Sequence, residues 1–272
     1  MFIPFHDDNP TRRTPVVTLG LIAANVVVLL WLGRLPPLRR ELVAVRQGFV
    51  PARVAQLLQP KPRTLEIPIG RVRPTPLAPV VVVPLRPVPR EVALSLVTCM
   101  FLHGGWMHLI GNMWFLWLFG NNVEDRLGPL LFSLLYLLGG IVASATHWAM
   151  YPRSTVPVIG ASGAVAAVLG AYAITWPHAR VRTLVFLFFF FTVIELPAVL
   201  VLGGWFVGQL LAGQGALAGE AAESVAWWAH VGGFLAGLAL MPLLRALSPE
   251  QPRYVARRIV DENREDDPVG FF

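Results

Sequence analysis

The chain has 272 residues, a mean hydropathy of +0.60 and only 14% charged residues. A soluble domain carries about 25% charged residues, so this composition predicts a protein whose main solvent is lipid. The net charge of +6 is explained better by basic loops flanking apolar spans than by nucleic-acid binding, for which no motif is found. The single cysteine, Cys99, is too little for an internal disulfide or a thiolate metal site.

Six stretches are apolar enough to be predicted as transmembrane helices, each of which needs about 20 residues. The first is free of charge and lacks a small-residue cleavage pattern after it, so we expect a retained anchor. A Phe-rich piece before the fifth, residues 183–194, is too short to span and is interpreted as a buried or interfacial approach. Seven spans would result if that piece joined a re-entrant turn. The six predicted spans are residues 16–33, 104–123, 127–151, 156–176, 196–212 and 224–244.

Loop charges predict the orientation of these spans. Arg180 and Arg182 follow the fourth span and further arginines follow the last, whereas residues 213–223 contain no Lys or Arg. Basic loops favour the cytoplasm, so both termini are predicted to be cytoplasmic. Residues 34–90 carry eleven basic residues and yet lie outside in this topology, which is tolerated because charge in long loops has less weight.

Proline dominates the connection between the first two spans. Twelve of the 24 prolines fall between Pro36 and Pro89, a density that excludes a continuous helix and favours extended or polyproline segments. Residues 80–83 are predicted as a short strand. The domain hypothesis is a membrane domain over residues 1–247, including the Pro/Arg-rich loop 34–95, and a polar cytoplasmic tail over residues 248–272.

A Gly-x-Ser-Gly string, residues 160–163, opens the predicted fourth helix. A hydroxyl at this place lies near backbone N–H groups that lack helical partners, and these could stabilise an oxyanion formed when Ser162 attacks a carbonyl. Gly160 and Gly163 would allow close approach of backbone and substrate. Such a string alone is more often a small-residue packing motif.

A second cluster lies in the last span, where His230, Gly233 and Gly237 share one helical face. The fourth span offers a matching face, which contains Ser162, Ala166 and Gly170. Two faces of small residues can pack backbone to backbone in membranes, and this contact would bring His230 within hydrogen-bond reach of Ser162. A serine needs such a base to become a strong nucleophile. A structural histidine is the alternative.

A third cluster begins the second span, where His108 and Asn112 lie one turn apart. Their N–H groups are suitable oxyanion donors. Metal ligation by His103 and His108 is disfavoured, because a spacing of five does not place both on one helical face and no His-Glu-x-x-His string occurs.

These three motifs closely resemble those of the rhomboid proteases, in the family's order, and the resemblance covers about residues 96–244. It implies an all-α, polytopic bundle of six transmembrane helices with a water-filled cavity open to the outside. It implies a dyad in which Ser162 is the nucleophile and His230 the base. His108, Asn112 and the Ser162 backbone N–H would bind the oxyanion. Gly160, Gly163, His103, Gly233 and Gly237 would support this arrangement.

The resemblance further implies an intramembrane serine endopeptidase that cleaves transmembrane proteins near the outer end of the span. No metal or organic cofactor is expected, and the partners would be substrates and the lipid bilayer. The expected location is a bacterial cytoplasmic membrane. The chain departs from many relatives in lacking a Trp-Arg pair in residues 34–90, and it has Ala166 where some place a Tyr against the catalytic His.

Two other functions remain open at the level of the sequence. An inactive rhomboid-like protein would bind membrane proteins without cleaving them, although such proteins usually lack the Ser or the His. A transporter or channel would be favoured by paired intramembrane charges or by broken helices in symmetric halves, and neither pattern is found.

Overall fold

The computed structural model describes residues 2–71, 79–187, 190–217 and 225–248, most of which are helical. The predicted tail therefore lies outside the described residues except for Ser248. The helices are α1 Val16–Gly33, α2 Pro37–Gln47, α3 Pro51–Leu57, α4 Pro89–Thr98, α5 Trp106–Leu127, α6 Pro129–Met150, α7 Ser162–Thr175, α8 Ala198–Leu217 and α9 Trp227–Leu247. The strands are β1 Phe2–Asp7, β2 Leu65–Arg71, β3 Val80–Leu85, β4 Arg180–Leu187 and β5 Phe190–Pro197.

Apolar helices confirm the predicted polytopic membrane fold. Among the described residues, α1, α6, α8 and α9 are each long and apolar enough to cross a membrane. The piece Pro89–Phe101, which contains α4, passes the same test together with α5, with a bend of 84° between them. The helix α7 is apolar but has only 14 residues.

Most predicted spans match the observed helices within a few residues, but the fourth begins later than predicted. The predicted span includes residues 156–161, whereas α7 starts at Ser162. The backbone of this preceding stretch is occupied elsewhere: Val158 exchanges two hydrogen bonds with Phe49, at 3.0 and 2.8 Å. At Gly160 a φ of +126° is incompatible with a helix.

Polar contacts bring the N-terminal strand and the ends of three helices to one end of the bundle. The Asp7 carboxylate accepts hydrogen bonds from Asn122 near the end of α5, at 2.8 Å, and from the Tyr172 hydroxyl near the end of α7, at 2.7 Å. After α9, the Ser248 hydroxyl donates to the Arg126 carbonyl at 3.5 Å. The start of α7, with Ser162, therefore faces the opposite end.

The predicted small-residue contact between α7 and α9 is present. A Cβ added at Gly233 would collide with the Gly163 carbonyl oxygen, and one at Gly237 with the Ala167 carbonyl oxygen. From the other side, a Cβ at Gly170 would collide with the Phe234 carbonyl oxygen. The two backbones touch, as is typical of membrane helices that pack through glycine.

Residues 34–71 and 79–98, here named the α2–α4 segment, contain more helix than the proline count predicted. No continuous helix runs through these described residues, but the extended or polyproline interpretation is wrong for three short helices, which begin at Pro37, Pro51 and Pro89. Proline is well suited to this first helical position, where its missing N–H costs nothing. The predicted strand 80–83 is confirmed within β3, which pairs antiparallel with β2. A small apolar core unites the segment: Val45, Val50, Ala52, Ile67, Val83 and Leu85.

The Phe-rich piece before α8 forms strands, which a purely helical interpretation did not anticipate. An antiparallel sheet of order β1-β4-β5 contains residues 183–187 and 190–194, while Phe188 and Phe189 lie outside the described residues. Val181, Thr183 and Val185 are buried and alternate with exposed or half-exposed residues, the period of two expected of a half-buried strand. The predicted fifth helix is accordingly shifted, because Leu196 and Pro197 end β5 and α8 extends to Leu217.

Candidate active site

Ser162 and His230 lie in hydrogen-bond contact. The distance from His230 Nε2 to Ser162 Oγ is 2.8 Å. Ser162 is the first residue of α7 and His230 lies in the first turn of α9, so the glycine contact between these helices fixes the separation of the two side chains. The pair predicted from the two sequence motifs is thus brought together.

The start of α7 leaves backbone donors near the Ser162 hydroxyl. The first bond of the helix runs from the Val165 N–H to the Ala161 carbonyl, at 2.9 Å, so the N–H of Ser162 precedes the helical ladder. These early N–H groups carry the positive end of the helix dipole. A negative charge that develops beside Ser162 would meet this positive field.

Gly160 gives this turn its shape. Its φ of +126° lies in a region that glycine adopts far more readily than other residues. A Cβ on Gly160 would also lie 2.7 Å from both Cε1 and Nε2 of His108, which is closer than a Cβ atom approaches a non-bonded neighbour. The absent side chain therefore makes room for the His108 ring beside the Ser162 turn.

Asn112 lies one turn beyond His108 on α5 and is held by a second histidine. The distance between the Asn112 amide nitrogen and His103 Nε2 is 3.0 Å, and both side chains are buried. The amide nitrogen has two hydrogens, so one can bind His103 while the other remains for a substrate. His103 thus lies where it can orient the Asn112 amide.

His103 and His108 are closer than their sequence spacing suggested. Their rings meet edge to face with centroids 5.0 Å apart, because His103 precedes α5 and folds back towards it. His103 nevertheless turns its Nε2 to Asn112. Within the described ranges, no group of three His, Cys, Asp or Glu residues is arranged to hold a metal ion.

Two side chains of α8, Gln209 and Trp205, contact His230, and neither was among the site residues predicted from the sequence. His230 Nδ1 lies 2.6 Å from Gln209 Oε1. The Trp205 ring lies one turn away on α8, with its centroid 6.0 Å from that of His230. Gln209 could have been flagged by its chemistry, since an amide within an apolar span is costly without a partner.

Ala166, where some rhomboids place a Tyr, is fully buried against α9. A Cβ at Gly233 would lie 3.2 Å from the Ala166 Cβ, so the close helix contact leaves no space for an aromatic ring at this position. Trp205 instead brings a ring to His230 from α8.

A cavity of about 570 Å³ joins these groups, a size typical of small-molecule and active-site pockets. Its walls come from α5, α7, α8, α9 and the residues just before α9. The lining residues are Met107, His108, Gly111, Asn112, Phe115, Ile159, Ser162, Val165, Leu169, Trp205, Gln209, Val225, Ala226, Trp227 and His230. The arrangement can therefore combine a hydroxyl, a base and several hydrogen-bond donors around one substrate.

Comparison with known proteins identifies the same family whose motifs this chain resembles. The Rhomboid domain model matches residues 90–247. Rhomboid-like protein 11, chloroplastic, from Arabidopsis thaliana is 33% identical over 162 residues, which cover 54% of this chain and 51% of that protein. Rhomboid protein 1, mitochondrial, from Saccharomyces cerevisiae is 35% identical over 99 residues, or 34% of this chain and 28% of that protein.

A third relative, presenilin-associated rhomboid-like protein A, mitochondrial, from Danio rerio, is 31% identical over 97 residues, or 35% of this chain and 25% of that protein. The chain thus spans about half of the first relative's length and about a quarter of the other two. Since the domain model accounts for more than half of the residues, the chain belongs to the rhomboid family.

Proposed function

We propose that this chain is an intramembrane serine endopeptidase in which Ser162 is the nucleophile and His230 the general base. The observation that carries the proposal is the 2.8 Å contact between His230 Nε2 and Ser162 Oγ at the start of α7. A serine next to a base, with free backbone donors around it, is the arrangement needed for acyl transfer.

The proposed reaction follows the two-residue form of the serine-protease scheme. His230 Nε2 takes the hydroxyl proton as Ser162 Oγ bonds to the substrate carbonyl carbon, whose oxygen becomes an oxyanion. His230 then gives that proton to the leaving amine as the peptide C–N bond breaks. Water, deprotonated by His230, attacks the acyl-enzyme, and Ser162 regains its proton.

The oxyanion would be held by His108, Asn112 and the Ser162 backbone N–H. His108 and Asn112 both line the cavity beside Ser162, and Gly160 lets the His108 ring approach. The His103 contact would keep the Asn112 amide turned for this purpose. Donors fixed before the reaction stabilise the developing charge without further reorganisation.

The proposed substrates are transmembrane proteins, cleaved near the outer end of their spans. The cavity is bordered by Gly111 and Phe115 of α5 on one side and by Trp205 of α8 on the other. A substrate that leaves the bilayer between α5 and α8 would therefore meet Ser162 directly. Family resemblance favours small residues at the scissile bond, with helix-destabilising residues beyond it.

The proposed topology puts both termini in the cytoplasm and the cavity at the outer side. In support, Arg180 and Arg182 lie at the same end of the bundle as the N-terminal strand, where Arg182 pairs with Asp8 at 3.8 Å. The relatives named above carry chloroplastic and mitochondrial names, so the family occupies several membranes. The bacterial cytoplasmic membrane expected from the sequence is our proposal for this chain.

Cleavage of a model transmembrane substrate by protein reconstituted in liposomes tests the proposal. We expect Ser162→Ala to abolish cleavage and labelling by a fluorophosphonate probe, because only an activated serine reacts with such probes. Ser133→Ala is the matched control, since the Ser133 hydroxyl donates to Pro129 within its own helix and lies at the far end of α6. The control should retain both activities.

Normal cleavage by Ser162→Ala would contradict the proposal. If the wild-type protein inserts and folds but neither cleaves nor reacts with the probe, the second candidate, an inactive rhomboid-like binding protein, is favoured. The hydrogen-bonded Ser162 and His230 argue against that candidate, because a binding protein has no need of the pair.

A further inference from the structure

The His230 ring makes a second polar contact that the two-residue mechanism leaves unexplained. Its Nδ1 lies 2.6 Å from Gln209 Oε1, while its Nε2 lies 2.8 Å from Ser162 Oγ. Both ring nitrogens are thus engaged, on opposite sides, by side chains from two different helices. A neutral imidazole has one N–H donor and one bare nitrogen, so the two contacts are chemically linked.

We infer that Gln209 is a positioning residue, whose side-chain oxygen accepts the His230 Nδ1–H and so leaves Nε2 unprotonated towards Ser162. The inference rests on the proposed function. An amide oxygen can only accept, so a hydrogen bond at this distance requires the proton on Nδ1. Only that tautomer can take the hydroxyl proton of Ser162, since a protonated Nε2 would have no lone pair for it.

An amide suits this task inside a membrane. In soluble serine proteases a buried aspartate holds the histidine, and an ionised carboxylate within a bilayer is costly. The amide of Gln209 selects the same tautomer without adding a charge to the span. Trp205, one turn away on α8, has its ring centroid 6.0 Å from that of His230. Together with the Gln209 hydrogen bond, this contact fixes the plane of the His230 ring.

Gln209 belongs to the most loosely packed wall of the site. Of the residues described in α8, only Ala198, Leu202 and Gly213 are buried. The base itself is on α9, whose backbone touches that of α7. The orientation of His230 therefore depends on a side chain from another helix, one with fewer buried residues than the helix that carries His230. Displacement of α8 would remove the acceptor of the Nδ1–H. Ser162 and His230 would stay next to each other, but the His230 ring would lose the contact that directs its unprotonated Nε2 towards Ser162.

The experiment compares Gln209→Met with Gln209→Glu and with Gln214→Met, in the full chain reconstituted in liposomes. Methionine keeps the length of the side chain and removes the strong acceptor, whereas glutamate keeps an acceptor oxygen. Gln214 is exposed on the same helix and serves as the matched control. We expect Gln209→Met to lower kcat roughly 10–100-fold with little change in KM. This loss is smaller than the roughly 10²–10⁴-fold that a general base contributes, because His230 itself is still present. Gln209→Glu should stay within about tenfold of wild type in kcat, while Gln214→Met should match it.

Nitrogen NMR of the histidine-labelled protein reads the tautomer directly, with the His230 signal identified by its loss in His230→Ala. The wild type should show Nδ1 protonated, and Gln209→Met should shift the ring towards a mixture. This readout does not depend on proteolysis, so it tests Gln209 even if the wild-type protein fails to cleave any substrate. A folded Gln209→Glu variant without activity, a Gln209→Met variant as active as Gln214→Met, or an unchanged tautomer would each overturn the inference.

Discussion

Two helices that flank α9 at the cavity with Ser162 and His230, α7 and α8, pack against it in different ways. On the α7 side, glycines meet backbone: a Cβ added at Gly170, Gly233 or Gly237 would collide with a carbonyl oxygen of the facing helix. On the α8 side, a Cβ added at Gly203, Gly204 or Gly208 would meet no described heavy atom within 4 Å, whereas one at Gly213, near the end of α8, would lie 3.2 Å from the Trp228 ring of α9. Glycine thus marks backbone contact between α7 and α9, but mostly open surface along α8.

This difference separates two tasks within one site. The proposed nucleophile, base and oxyanion donors lie on α5, α7 and α9, where buried contacts fix their spacing. The groups that contact the far side of the His230 ring, Gln209 and Trp205, lie on α8. The spacing of the reacting groups is therefore set by α5, α7 and α9, whereas the orientation of the His230 ring is set by α8. Substitutions on the two sides should have different consequences.

The largest effect is expected on the fixed side, from Asn112→Ala. Removing one preorganised oxyanion donor costs about 10²–10³ in turnover. We expect a loss of this order in the rate of substrate cleavage, while binding of substrate to a Ser162→Ala background changes little. Turnover within threefold of wild type would show that Asn112 does not hold the oxyanion.

A smaller effect, on stability, is expected from Gly233→Ala. The added methyl group would press on the Gly163 carbonyl and force α7 and α9 apart, and overpacking of this kind costs about 1–3 kcal/mol. Thermal unfolding in detergent should occur several degrees lower, and labelling of Ser162 should slow because the dyad distance increases. An unchanged melting temperature would contradict the backbone contact.

The smallest effect is expected from the matched substitution on α8, Gly208→Ala. The position is open, so the methyl group meets nothing, and alanine is favoured over glycine in helices by about 1 kcal/mol. Thermal stability should be unchanged or slightly raised. A fall as large as that of Gly233→Ala would mean that α8 packs as tightly as α7, and the contrast between the two helices would be lost.

Local pattern was enough to predict much of this molecule. The span 16–33 coincides with α1, and helical periodicity alone placed Ser162 and His230 on facing small-residue surfaces. These features depend on composition and on spacing within one helix. The family motifs then brought His108 and Asn112 to the same site.

Other features depend on contacts between distant parts of the chain. The pairing of Gln209 with His230 follows from how α8 is rotated against α9, which no local pattern encodes. The strand β4 has an alternating pattern of buried residues, Val181, Thr183 and Val185. The phenylalanines that follow it are typical of a membrane segment, so the sequence did not predict a strand here. In the α2–α4 segment, the number of prolines predicts broken helices, but three of these prolines begin helices, because the first helical position does not need an N–H donor.

The chain has a single cysteine, Cys99, whose backbone carbonyl accepts the Gly160 N–H and whose side chain is buried. A thiol introduced at an exposed position of α8, such as Leu211→Cys, would therefore be the one reactive site for a fluorophore or a spin label. No native residue would have to be replaced first. Spectroscopy on such a labelled protein could follow α8 in an otherwise unaltered sequence while an inhibitor occupies Ser162.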